Sequence, residues 1–248
     1  MNESAFPRFS HVEIEINSAC DQNCKSCDRF IDWAPAPHMT VAQVKHFVDE
    51  SLALDWEWER IHILGGEPTL HPQFREIVEE LLRYREAFPG AVLLRVISNG
   101  SGKLAEHRAW LESAGVAVSV ESKVGGFADW FTDMGVAPVD HVPGPQPACS
   151  IFGIKGCGVG LTRHGYFLCG AGASIARVVG LDIGAQRLED MTYERALAQA
   201  EQVCNLCGHK EGFFRRVGRV EARGPFWTQA VAAYQAQRPA LTVYGGQG

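Results

Sequence analysis

Three cysteines within eight residues, Cys20, Cys24 and Cys27, constrain this chain more than any other feature. Thiolates are the natural ligands of a four-iron cluster, which ordinarily takes four of them. Three on one short loop hold three irons and leave the fourth open to a chelating molecule. A structural zinc site completed by His11 or His38 is the competing reading of the loop taken alone. Five further cysteines, Cys149, Cys157, Cys169, Cys204 and Cys207, fall in the last hundred residues, and none lies between Asp28 and Ala148. In a reducing compartment such a distribution points to metal binding rather than to a disulfide framework.

The compartment follows from what the chain lacks. No apolar run is long enough to span a bilayer, and Met1–Ser10 carries no basic-then-apolar signal pattern. The expected location is the cytoplasm. A net charge of −6 has the wrong sign for a broad nucleic-acid footprint. A length of 248 residues suits one α/β domain with a small appendage.

Residues 1–145 alternate strand-like and helix-like segments. His11–Ile16 alternates polar and apolar and runs into the cysteine loop. Thr40 and Gln43 form a capping box ahead of Val41, Val44, Phe47 and Val48. Arg60–Leu64 is a short strand ending at Gly65-Gly66, and Pro72 opens a helix with Phe74, Ile77, Val78, Leu81 and Leu82 on one face. Val92–Ile97 is a strand, Leu104–Ala114 a helix, and Val116–Val120 a strand. A short helix over Phe127–Met134 and a fifth strand near Val139–Val142 complete the pattern. Repetition of this kind gives parallel strands joined by right-handed crossovers. About five strands and four helices are too few to close an eight-stranded barrel, so the expected fold is an open, partial TIM-like barrel.

Pro143–Pro147 reads as a boundary. Beyond it, residues 146–209 form an α+β appendage, with a hairpin over Gly158–Cys169 and a helix carrying Tyr193, Leu197, Ala200 and Val203 into Cys204. Residues 210–248 read as a helical tail with Phe226, Trp227, Val231 and Tyr234 on its apolar face. Arg215, Arg216, Arg219 and Arg223 give that tail a cationic stretch, best read as solvated.

Cys-x3-Cys-x2-Cys at the end of a first strand resembles the radical S-adenosylmethionine (SAM) superfamily. The resemblance continues at Gly65-Gly66-Glu67-Pro68, which matches the glycine-rich motif that takes the SAM methionine group in that family. Glycines allow close backbone approach, Glu67 is suited to an ammonium, and Pro68 stiffens the turn. By position, Ser98, Asn99, Glu121 and Ser122 resemble the polar groups that hold the SAM ribose and carboxylate, Glu121 suiting the ribose hydroxyls. Ser26 stands where the family usually places an aromatic residue against the adenine, which leaves Phe30 or Trp33 as candidates for that contact.

Cys204-x-x-Cys207, with Cys157 and Cys169 at the two ends of the hairpin, resembles the twitch appendage, a shortened SPASM domain that carries an auxiliary four-iron cluster. Gly165 stands one residue closer to Cys169 than the usual spacing, and Cys149 competes with Cys157 for the first ligand position. A four-cysteine zinc site has similar spacing.

These resemblances imply an oxygen-sensitive enzyme that cleaves SAM reductively and abstracts a substrate hydrogen atom, with a flavodoxin- or ferredoxin-type electron donor. The compact barrel plus appendage is similar to aminocyclitol alcohol oxidases such as 2-deoxy-scyllo-inosamine dehydrogenase. This implies two-electron oxidation of a small molecule such as a sugar or aminocyclitol. Peptide or protein modification is the alternative carried by the same subgroup, and an iron–sulfur or zinc scaffold without catalysis is another. No residue is singled out as acting on the substrate itself.

Overall fold

A computed structural model describes residues 8–22, 27–31, 33–89, 92–100, 102–120, 158–207 and 225–246. Its centre is an open sheet of six strands in the order β4-β3-β2-β1-β5-β6. These are β1 (His11–Asn17), β2 (Arg60–Gly65), β3 (Leu93–Ser98), β4 (Ala117–Val120), β5 (Val159–Thr162) and β6 (Gly165–Phe167). Strands β1 to β5 run parallel, and only β6 is antiparallel to its neighbour. Among the described residues β4 and β6 are its two edges, and the sheet is open, as expected for a partial TIM-like barrel.

The helices follow from local signals. In α1 (Val41–Ala53), the Thr40 hydroxyl accepts from the Gln43 amide while the Gln43 side chain accepts from the Thr40 amide, closing the expected capping box. Val44, Phe47 and Val48 of α1 are buried, as are Phe74, Ile77, Val78, Leu81 and Tyr84 of α2 (Phe74–Ala87). That helix begins after Gln73 rather than at Pro72, because Pro68–Leu70 forms a 3-10 turn first and the His71 ring accepts from the Gln73 amide. In α3 (Gly102–Ser113), Leu104 and Leu111 point into the core.

Three findings depart from the sequence expectation. The hairpin joins the barrel sheet, since β5 hydrogen-bonds in parallel to β1. Next, α4 (Gly170–Val179) forms where the sequence reading places no helix. Nine of its residues, Gly170 to Val178, are buried, so it is a core helix, with its polar Ser174 and Arg177 bonded to the carbonyls of Gly170 and Arg29. Finally, α5 (Tyr193–Val203) buries Ala196, Gln199 and Val203, while Leu197 is 41% exposed. Gln199 sets that rotation. Its carbonyl accepts from the Leu168 amide at 2.7 Å, and its amide donates to the carbonyls of Tyr166 and Ile183.

The last helix, α6 (Pro225–Ala236), buries Trp227, Val231 and Tyr234. Beyond it Tyr244 is buried against Tyr166, and both hydroxyls engage Glu50 of α1. Burial raises the pKa of both phenols, and the Glu50 charge adds to the effect. The expected helix over 127–134, the strand over 139–142, the boundary over 143–147 and the four tail arginines lie outside the described residues. No helix among the described residues is long and apolar enough to cross a membrane.

Candidate active site at the strand ends

Parallel strands deliver their carboxyl ends to one edge, and three of the sequence motifs meet there. Asn17 ends β1, Gly65 ends β2 and Ser98 ends β3. The segment after Asn17 is zipped to the turn after Gly65. The amides of Gly66 and Glu67 donate to the carbonyls of Asn17 and Ala19 at 3.0 and 2.7 Å, and the Asn17 side-chain amide donates to the Glu67 carbonyl at 2.9 Å.

This contact explains Gly66. A Cβ at that position would lie 2.3 Å from the Ala19 carbonyl oxygen and 2.9 Å from Cβ of Cys20. The glycine therefore seats the cysteine loop, where the sequence reading has it admitting a ligand. Pro68, also buried, opens the turn that follows.

Glu67 is 0% exposed, and its carboxylate is fully engaged. One oxygen accepts from the Thr69 amide and hydroxyl at 3.1 and 2.6 Å. The other accepts from the Ser98 hydroxyl at 2.9 Å and the Asn99 amide at 2.8 Å. A carboxylate has about four acceptor positions, and all are taken by protein donors. The side chain thus ties the end of β2 to the end of β3.

Asn99 extends the connection to the cysteine loop. Its side-chain amide donates to Asp21 at 2.8 Å and lies 3.8 Å from the sulfur of Cys20, which the Gln22 amide also approaches at 3.5 Å. N–H donors directed at sulfur favour the thiolate, the form that binds metal. Cys20 and Cys27 are partly exposed. The donor set fits an iron–sulfur site. Among the described residues no three metal-ligating side chains converge, Cys24 lying outside them.

Of the two histidines considered as zinc ligands, His11 lies away from this edge. His11 starts β1, about 20 Å from the loop at ~3.3 Å per residue, and pairs with Glu59. His38 packs against the His71 ring. Phe30 is 1% exposed and packs against Trp33 and Trp227. Trp33, partly buried, retains some surface.

The inner face of the sheet is polar, which the sequence reading missed. Every residue of β1 is buried, including His11, Glu13, Glu15 and Asn17 on one side of the strand. Their alternation with Val12, Ile14 and Ile16 was the available signal, because a strand buried on both faces normally reads as continuously apolar. His62 of β2 pairs in register with both Glu13 and Arg95. Burial, then the charges of Arg95 and Arg60, push the His62 pKa down to about 4. Burial raises the pKa of Glu15, with Arg177 and Arg29 opposing the shift.

At the other cysteine set, Cys169 caps α4 and accepts from the Gly172 amide at 3.2 Å. Gln199, bonded to Leu168, lies on the helix that ends just before Cys204, and a Cβ on Gly172 would stand 3.3 Å from Val203 and 3.4 Å from the Cys169 sulfur. Packing thus brings Cys169 beside the start of the Cys204–Cys207 segment. Glu121, Ser122, Cys149 and Cys157 lie outside the described residues.

Comparison with known proteins gives two findings. Residues 14–122 match the family model described as the radical SAM superfamily. A solved structure similar to this chain is the crystal structure of BtrN in complex with AdoMet and 2-DOIA. It has a TM-score of 0.55 at 14% identity, over 88% of this chain and 99% of that one. At such identity the likeness is one of fold. No curated protein matches the chain in sequence.

Proposed function

We propose that this chain, whose residues 14–122 match the radical SAM superfamily model, is a radical SAM oxidoreductase acting on a small molecule, such as a sugar or aminocyclitol. The observation that carries this reading is the meeting of Cys20, Gly66-Glu67 and Ser98-Asn99 at one edge of a parallel sheet. Cys20, Cys24 and Cys27 would hold a four-iron cluster with one open iron. Such a cluster, when bound, supplies the electron that splits the SAM sulfonium and yields a 5′-deoxyadenosyl radical able to take a substrate hydrogen atom.

The protein's own part is orientation. Glu67 fixes the relative height of the strand ends, and Asn99 and Gln22 direct N–H groups at Cys20. The turn at Gly65–Pro68 and the polar groups of Ser98, Asn99, Glu121 and Ser122 are the proposed SAM contacts. Four of Cys149, Cys157, Cys169, Cys204 and Cys207 would hold an auxiliary cluster, the acceptor for the second electron.

Two observations favour a small polar substrate. BtrN shares the fold and was solved with AdoMet and 2-DOIA. The inner sheet face here carries Glu13, Glu15, His62 and Arg95 where a filled barrel carries branched apolar residues. A flavodoxin- or ferredoxin-type protein is the proposed electron donor. Anaerobic reconstitution tests the cofactor content: about eight irons per chain are expected for two four-iron clusters. Saturation near four, or zinc at the second set, would remove the auxiliary cluster from the account.

A further inference from the structure

Arg29 leaves the backbone two residues after Cys27 and is buried, together with everything its guanidinium touches. Nη2 donates to Glu13 at 2.6 Å, Nε lies 3.7 Å from Asp28, and Nη1 lies 4.0 Å from Glu15. Burial works against the charge, but Asp28, Glu13 and Glu15 outweigh it and hold the guanidinium pKa above its ordinary value. From α4, 148 positions later, Arg177 donates to the Arg29 carbonyl at 2.7 Å.

The same guanidinium lies against the first residue of α4. A Cβ on Gly170 would stand 1.5 Å from Nη1 of Arg29. Gly160 of β5 makes the matching allowance from below, since a Cβ there would stand 2.7 Å from the Cys169 carbonyl carbon and the Gly170 nitrogen. Two glycines thus let the Cys169-Gly170 segment descend onto the sheet, with room for one guanidinium. Nη1 has no hydrogen-bond partner among the described residues, so beside its longer ion pair with Glu15 this arm of Arg29 contributes packing against Gly170.

A buried ion pair adds little net stability over an apolar substitute, yet it can enforce one arrangement over others. We propose that Arg29 is a positioning residue that fixes the Cys169 segment against the Cys20–Cys27 loop, so that displacement at one cysteine set is transmitted to the other. Its functional meaning rests on the reading above, in which both sets hold iron. Its structural content does not, because every contact is made by the polypeptide alone.

The test is a double-mutant cycle on the full, iron-free chain, using Gly170→Ala and Arg29→Lys. Lysine keeps a cation opposite Glu13 and removes the arm that lies over Gly170. Gly170→Ala alone should lower the thermal midpoint and accelerate alkylation of Cys20 and Cys27 severalfold, although the mutation lies on another element. In the Arg29→Lys background both effects should fall by more than half. If Gly170→Ala alone does not fold, a cooperative melt restored by Arg29→Lys supports the strut. Additive losses, no restoration, or unchanged alkylation at the first set would overturn it. Because no iron is present, a chain that fails to bind clusters would sink the functional reading while leaving this result legible.

Discussion

Glu67 and Ser98 meet at 2.9 Å across the ends of adjacent parallel strands, the carboxylate accepting from the hydroxyl. The same carboxylate also takes the Asn99 amide and both donors of Thr69. A glutamine has one accepting oxygen, so either the Thr69 pair or the Ser98–Asn99 pair loses its acceptor. Glu67→Gln should therefore destabilise the iron-free chain by about 1–3 kcal/mol, the cost of leaving buried donors unmet. Urea titration of the purified variant measures this. An unchanged midpoint and slope would show that Glu67 does not tie β2 to β3.

Gly66→Ala addresses the seat of the cysteine loop. A methyl group there runs into the Ala19 carbonyl at 2.3 Å, and backbone has little freedom to yield. The expected outcome is loss of about four irons per chain on reconstitution, with the far-ultraviolet circular dichroism spectrum retained. Full iron loading by this variant would mean that the loop is seated by other contacts.

What the sequence made legible was what repeats or spaces regularly. The capping box of Thr40 and Gln43 and the apolar face of Phe74 to Leu81 are local patterns, and the structure keeps them. The cysteine loop and Gly65–Pro68 were legible as motifs. Helix α4 was not, because Gly170 and Gly172 disfavour a helix on propensity. The pairing of β5 with β1 was hidden for a different reason: which strand lies beside which is decided by long-range packing, not by either strand's own residues. Leu197 shows the limit of reading a face from hydrophobicity, since the hydrogen bonds of Gln199 turn the helix and leave Leu197 outside.

The pH response of the fold should carry the signature of His62. Its folded pKa of about 4 lies below the unfolded value of 6.5, so the folded state favours the neutral ring. Its contribution to stability is complete above pH 6.5 and is lost as pH falls from there toward 4. Thermal midpoints measured across that range should drop less in His62→Gln than in the parent chain. Parallel curves for the two proteins would contradict the assignment.

Separation of the two cysteine sets gives a kinetic prediction. Cys204→Ala with Cys207→Ala, provided that dichroism and first-set iron are retained, should still yield 5′-deoxyadenosine in reducing buffer. The oxidised product should fall to a small fraction of the parent level. Metal binding often contributes to the stability of a small unit, so the folding check comes first. Normal product formation by the folded variant would show that the second electron leaves by another route.

The central claim is that Cys20, Cys24 and Cys27 hold the iron that drives SAM cleavage, and one measurement addresses it directly. The parent chain and a variant with all three changed to Ala are reconstituted anaerobically, given SAM and dithionite, and assayed for 5′-deoxyadenosine by liquid chromatography. The account predicts 5′-deoxyadenosine from the parent chain and none above background from the variant, which keeps the iron of its second set. Formation of 5′-deoxyadenosine by the triple variant, or its absence from an iron-loaded parent chain, would contradict the account.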